Sequence, residues 1–234
     1  MGWRSATAEG EKTKKTIFVV IGLALFLAAK VYAYDDGDFQ VWNTDVEEFK
    51  IGKKGKLAFE QEFRWGDNAS EFYYQHYDVG YVYDVSKYLN VGIGYRYIKE
   101  MQNKAFRVEN EPYLLATLFW DLAGFKFDSR NRFEYRTFDY NKVDSGRYRN
   151  KLTVKFPWKF TKREIQPYLA DEIFVRFNGT DLNQNRIFAG LGFNITKNLK
   201  GEVYYMLQST KNYSKLESTW TDTNVLGTKL KLVF

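Results

Sequence analysis

The sequence predicts an all-β fold: a closed, antiparallel, up-and-down barrel that crosses a membrane with ten strands. Three observations predict it. First, apolar and polar residues alternate through segments of about 9–14 residues, and a strand, unlike a helix, has a side-chain period of two. Second, the 234 residues hold 20 Phe, 18 Tyr and 6 Trp, yet the mean hydropathy is −0.50. A barrel that meets lipid with every second residue has both properties. Third, the last nine residues put Leu226, Thr228, Leu230, Leu232 and Phe234 on one face and Gly227, Lys229 and Lys231 on the other. The chain thus ends on an apolar face and a terminal aromatic, as bacterial outer-membrane barrels do. Leu230, Leu232 and Phe234 are the expected signal for the barrel-assembly machinery.

Residues 1–33 read as a cleaved secretory signal. Arg4, Lys12, Lys14 and Lys15 form a basic start, Ile17 to Ala29 a thirteen-residue apolar core, and Val31-Tyr-Ala33 a small-residue cleavage site. The core is short beside the roughly 20 residues of a membrane-spanning helix. Five Lys or Arg and two Asp or Glu leave with this leader, so the net charge falls from +6 to +3. No basic cluster then stands without acidic neighbours, and nucleic-acid binding loses its compositional support. The chain has no Cys, which excludes disulfides and thiolate-held metals.

Ten strands are expected between Lys56 and Phe234, each with an outward apolar row. Strand 56–65 presents Leu57, Phe59, Phe63 and Trp65, and strand 72–85 presents Tyr73, Tyr77, Val79, Tyr81, Tyr83 and Val85. Strand 89–99 presents Val91, Ile93, Tyr95 and Tyr97, and strand 107–122 presents Leu114, Leu118, Trp120 and Leu122. Strand 125–138 presents Phe125, Phe127, Phe133 and Tyr135, and strand 147–159 presents Tyr148, Leu152, Val154, Phe156 and Trp158. Strand 165–177 presents Leu169, Ile173 and Val175, strand 185–195 Ile187, Leu191 and Phe193, and strand 199–209 Val203, Tyr205 and Leu207. The C-terminal strand completes the set. Gln61, Ser129, Asn131 and Asp171 also fall outward. Asp171 is costly there, and a bulge or a switch of faces is expected nearby.

Short turns are expected near Ser86-Lys87, Ala123-Gly124, 161–163 and 196–198, and longer polar loops near 99–105, 139–146, 178–184 and 210–222. Short periplasmic turns and longer outer loops place the C-terminus in the periplasm. Segment 38–51 also alternates, but counting it makes eleven strands, and closed bacterial barrels have an even number. Residues 34–55 are therefore expected to be periplasmic or to plug the lumen, with the barrel spanning 56–234. The alternative is a twelve-stranded barrel that includes 38–51.

The opposite face of the strands is ionic. It holds Glu62, Arg64, His76, Asp78, Arg96, Arg107, Glu109, Arg130, Arg132, Glu134, Arg136, Arg147, Arg149, Glu172, Arg176 and Arg186, besides Glu60, Glu111 and Lys151. Arg outnumbers Lys, and its planar fork binds several carboxylates at once. Two outcomes are open: these charges pair across a narrow lumen and fill it, or excess Arg makes an anion-attracting passage or binding cavity. Gly190 and Gly192, like Gly92 and Gly94, stand at alternate strand positions and leave lumen room for a large neighbour.

Asn131-Arg-Phe-Glu-Tyr-Arg136, Arg147-Tyr-Arg149, Pro167-Tyr-Leu-Ala-Asp-Glu172 and Asn185-Arg-Ile-Phe-Ala-Gly-Leu-Gly-Phe193 occur in that order, after Trp42 and Glu62-Phe-Arg64. In this set the chain resembles the family labelled domain of unknown function 2490, outer-membrane barrels of proteobacterial and Bacteroidetes type. The resemblance covers nearly the whole chain after residue 33. It implies an outer-membrane location and no catalytic residue.

The sole histidine, His76, has no Ser two residues on and shares its face with Asp78, so no serine–histidine pair of a lipid hydrolase is visible. No metal-ligand spacing occurs, and no cofactor is expected. The expected function is that of a non-enzymatic outer-membrane barrel in contact with lipid: a filled cylinder, a narrow channel, or a binding barrel for polar or anionic solutes. An outer-membrane lipase or deacylase is the alternative.

Overall fold

A computed structural model describes residues 36–178, 181–213 and 218–234. The leader expected over 1–33 lies outside these residues, as do parts of the loops expected at 178–184 and 210–222.

Eleven strands follow one another: β1 (Asp38–Ile51), β2 (Gly55–Gly66), β3 (Glu71–Ser86), β4 (Leu89–Gln102), β5 (Ala105–Leu122), β6 (Phe125–Phe138), β7 (Ser145–Lys155), β8 (Gln166–Arg176), β9 (Asp181–Asn194), β10 (Leu199–Tyr213) and β11 (Ser218–Val233). Each pairs with its neighbours in sequence, and β1 pairs with β11, so the sheet closes and leaves no free edge. Every seam is antiparallel except that between β1 and β11, which is parallel from Asp38 opposite Thr223 to Glu48 opposite Val233. An odd number of up-and-down strands requires this, because the first and last then point the same way.

The expected count of ten is thereby corrected, and so is twelve. Segment 38–51 is neither a plug nor a periplasmic extension but β1, part of the wall. The parity rule excluded it only because it assumed that every seam is antiparallel.

The connections differ from expectation as well. Asn103-Lys104 and Ala123-Gly124 are two-residue turns with positive φ at both positions, the geometry that matches the twist of a hairpin. Where a polar loop was expected at 99–105, β4 and β5 continue and pair up to Gln102 and Ala105. Polarity on both faces signalled a loop, whereas it marks a hairpin that projects beyond the filled part of the barrel. The longest described connection is 156–165, at the end where β11 finishes; a bridge between Phe160 and Ile165 folds it into a small hairpin.

The faces follow the predicted alternation. Ile93, Leu114 and Leu122 are 59%, 59% and 65% exposed on the outside, whereas Glu111 and Glu172 are 0% exposed inside. One correction falls at the start of β3. A register irregularity between Arg64 and Trp65 sets Phe72 opposite Trp65, and Tyr73 turns toward β1, where its hydroxyl donates to Gln40 (2.7 Å). Asp171 stays outward and exposed; the irregularity in β8 lies between Phe174 and Val175 and moves no face at Asp171. The outward polar residues bond to one another instead. Asn150 donates to Ser129 (2.9 Å) and Asn131 (3.0 Å), the Tyr148 hydroxyl donates to Asn131 (2.6 Å), and Asn185 donates to Asp171 (2.7 Å). Such bonds offset much of the cost of polar groups in an apolar setting.

Inside, glycine lets rings lie flat on the wall. A Cβ at Gly190 would stand 2.6 Å from the ring of Tyr168, and one at Gly227 2.0 Å from that of Tyr204. In each case the tyrosine is the glycine's direct cross-strand partner.

Candidate functional site

The inward side chains divide the lumen into two halves. Trp42, Tyr168, Ala170, Phe188, Tyr204, Met206 and Val225 form one apolar cluster on β1 and β8–β11. The ions concentrate on β2–β7. The expectation of an ionic inward face is corrected on this point: inward parity decides that a residue is enclosed, and on β8–β11 an aromatic and aliphatic cluster lies beside Glu172, Arg186, Glu202 and Lys229.

On the ionic side, Arg136 forks onto both oxygens of Glu109 (2.5 and 2.8 Å). Arg147 bonds Glu111 (2.7 Å) and Glu134. Arg132 lies over the ring of Tyr113 (3.8 Å) and within 4 Å of Asp78, Glu111 and Glu134. Arg96 bonds Asp78 (2.9 Å), which also accepts from the Tyr113 hydroxyl (2.6 Å). Here the ion pairs and their hydrogen bonds compensate for the loss of water around each charge. Pairs of this kind specify an arrangement more than they add net stability.

Between the halves, the Arg64 guanidinium sits between the rings of Trp42 (3.6 Å) and Tyr74 (3.8 Å) and bonds Glu62 (2.7 Å), which accepts from Thr44 (2.9 Å). This three-layer stack joins β1, β2 and β3. Trp42 was legible in the sequence as an aromatic within a strand-like segment; its place inside was not, because that segment was assigned no strand. His76 is fully enclosed, with Nδ1 3.1 Å from the Tyr74 hydroxyl and Nε2 3.2 Å from Glu60. A tautomer with the proton on Nε2 satisfies both contacts.

Phe174, Met206, His76, Glu111, Glu172 and Val225 are all fully buried inside the barrel. Below them, toward the end where β11 finishes, the lumen opens into a vestibule of about 250 Å³. Exposure rises from Glu172 (1%) through Arg130 (35%) to Lys155 (47%), which marks the open mouth. In its wall Glu172 is approached by Arg149 (2.6 Å), Arg130 (3.5 Å) and Arg186 (3.5 Å). Lys229 of β11 bonds Glu60 of β2 (3.2 Å).

The structure therefore brings together Glu62, Arg64, His76, Asp78, Arg96, Glu109, Arg130, Arg132, Glu134, Arg136, Arg147, Arg149, Glu172 and Arg186 in one enclosed system. Arg176 is half-buried at the end of β8. Arg107 is not part of the system: its side chain is exposed on the projecting β4–β5 hairpin, beyond the filled section. Lys229 is an inward residue that the sequence reading left out of the lumen set, although the parity of the C-terminal strand pointed to it. Among the described residues no group of His, Asp and Glu is placed to hold a metal.

A family profile described as "Protein of unknown function (DUF2490)" matches residues 39–218. The chain has no match among the curated proteins. Among solved structures, an anion-selective porin from Comamonas acidovorans aligns with 13% identity and a TM-score of 0.39, over 77% of this chain and 53% of the porin. The chain thus spans about half the length of that porin.

Proposed function

The chain belongs to the family described as Protein of unknown function (DUF2490), and from that premise we propose that it is an integral outer-membrane barrel with a closed lumen, whose vestibule binds a polar or anionic solute. One observation carries the reading. Apolar side chains are exposed all around the outside while carboxylates and guanidiniums are enclosed, the reverse of a protein surrounded by water. Lipid is the solvent that makes this partition favourable.

The outside supports it further. Trp65, Phe72 and Phe106 gather at one end of the barrel, and Trp120, Phe127, Phe156 and Trp158 at the other. Aromatics at both ends of an aliphatic band suit the two interfaces of a bilayer. Strands of 11–18 residues reach or exceed the roughly 9–11 that a tilted strand needs to cross.

The reading includes a leader over 1–33 removed after Ala33, assembly through Leu230, Leu232 and Phe234, and a periplasmic C-terminus. Because β1 and β11 are parallel, Asp38 then begins at the outer face and the vestibule faces the periplasm. His76 lies in the lumen against Tyr74 and Glu60, which gives the lipase or deacylase alternative no base on the lipid side.

The test is twofold. The mature protein should require detergent and migrate faster on a gel unheated than heated. In planar bilayers it should show no discrete conductance. Solubility without detergent sinks the membrane reading; unitary conductance steps replace the closed barrel with a channel.

A further inference from the structure

We propose that the vestibule is a binding site for a phosphate dianion, either free or as the head of a small ester, held chiefly by Lys151 and Arg130. This rests on the reading of the lumen as a closed vestibule and names the chemistry of its occupant.

The β6–β7 ladder sets cation opposite cation on its inward face: Arg132 faces Arg149, Arg130 faces Lys151 and Lys126 faces Lys155. Like charges directly opposite each other destabilise a sheet, so this arrangement costs stability unless something anionic lies across it. Glu134 lies within 4 Å of both Arg132 and Arg149, and Asp128 pairs with Lys155 (3.6 Å), but the Arg130–Lys151 pair has no carboxylate to itself. Glu172 is shared by Arg149, Arg130 and Arg186, and its cross-strand partner on β7 is Lys151, a fourth cation. Lys151 makes no ion pair among the described residues; its ammonium lies over the ring of Phe188 at 3.7 Å, facing the cavity. The cavity wall as a whole carries eight Lys or Arg against five carboxylates.

Two further features favour a phosphate over a single carboxylate. The excess charge is plural and converges from two strands, which suits a dianion with several acceptor oxygens. The Thr153 hydroxyl, buried between the Lys151 and Lys155 positions on β7, adds a neutral donor. Beside this basic wall lie Phe188, under the Lys151 ammonium, Tyr168, the cross-strand partner of Lys155, and Tyr204, a surface for the organic part of an ester. The route in is basic too. The connections at this end (52–54, 87–88, 123–124, 156–165 and 195–198) hold seven Lys or Arg and one carboxylate, Glu164. A mouth of one sign concentrates the opposite sign within it.

The test is titration calorimetry of the folded, detergent-solubilised mature protein with inorganic phosphate, with phenyl phosphate and with acetate. Phosphate should bind, phenyl phosphate should bind at least as tightly, and acetate should bind at least about tenfold more weakly than either. Lys151→Gln and Arg130→Gln should each weaken phosphate about tenfold or more, the worth of one charged hydrogen bond, and Lys104→Gln, at the opposite end, should not. Tighter binding of the ester assigns the natural ligand to the ester class, and equal binding assigns it to the free ion. If either vestibule variant fails to fold, the wild type decides: phosphate should slow the acylation of Lys151, read by mass spectrometry, and leave that of Lys104 unchanged. No phosphate binding, or binding indifferent to Lys151, overturns the site. Detergent dependence and zero conductance would leave the closed-barrel reading standing in that case.

Discussion

Phe234, the last residue of the chain, stacks on Phe49 of β1, with ring centres 4.7 Å apart and planes 6° from parallel. Its amide donates to the carbonyl of Glu48 (2.9 Å), and beside it Lys231 bonds the Glu48 carboxylate (2.6 Å). The residue expected to guide assembly thus also fastens the parallel seam. Phe49→Ala and Phe234→Ala should each lower the temperature at which the folded gel band is lost. In a double-mutant cycle they should couple by about 0.5–1.5 kcal/mol, as stacked aromatic pairs do. Additive effects would mean that the rings do not meet.

The parallel closure can be trapped directly, since the chain has no cysteine of its own. Asn43 and Thr228 are register partners on the outer face, with side chains 3.1 Å apart. The variant with Asn43→Cys and Thr228→Cys should form an intramolecular disulfide on oxidation. A ten-strand barrel closed by β2 and β11 would not bring these positions together, and no cross-link would form.

Glu111 has four guanidiniums within 4 Å, those of Arg96, Arg132, Arg136 and Arg147. Glu111→Gln leaves them short of one charge in an enclosed place, and a loss of about 3–5 kcal/mol is expected from urea unfolding in micelles. Asp128→Asn, near the open mouth, should cost less than about 1 kcal/mol. Equal effects would mean that water reaches both.

Gly227→Ala would force a methyl into the Tyr204 ring. The expected cost is about 1–3 kcal/mol, the range for overpacked interiors. Adding Tyr204→Ala should recover part of it, measured as the midpoint of unfolding relative to Tyr204→Ala alone. A neutral Gly227→Ala would place the ring elsewhere.

Outside the strands, the hydrogen bond from Lys159 (3.0 Å) and its charge hold the Glu164 carboxyl below its ordinary 4.5. A folded value below the unfolded one stabilises the fold above the unfolded value, and that contribution is lost as pH falls through the folded one. Lys159→Gln should move the titration of Glu164 upward, followed by carbon NMR of the side-chain carboxyl. An unmoved titration would place the cause elsewhere.

Much of the wall was legible because the period of two needs no partner: Leu114, Leu118 and Trp120 face out whatever lies beside β5. The ionic set was legible for the same reason, through Glu109, Arg132 and Glu134. Tyr73 was misread because one register irregularity shifts a face without leaving a mark in the composition. Arg107 was misread because parity gives direction and not depth. Lys99 and Glu100 suggested a loop because polar residues occupy both faces where β4 and β5 run on to a hairpin whose tip, from Asn103 to Phe106, is exposed.

By itself, the sequence determined that this protein is all-β, which side of nearly every strand is apolar, and that a dense population of Arg and Glu faces the other way. These are local consequences of side-chain alternation. Only the tertiary structure decided that β1 completes the wall, that the last seam is parallel, that a cluster of aromatic and aliphatic side chains lines one side of the lumen, and that cations of β6 and β7 confront one another in the wall of an open vestibule. Each of these depends on which strands become neighbours around a closed ring, and the pattern along one strand carries no record of its neighbours.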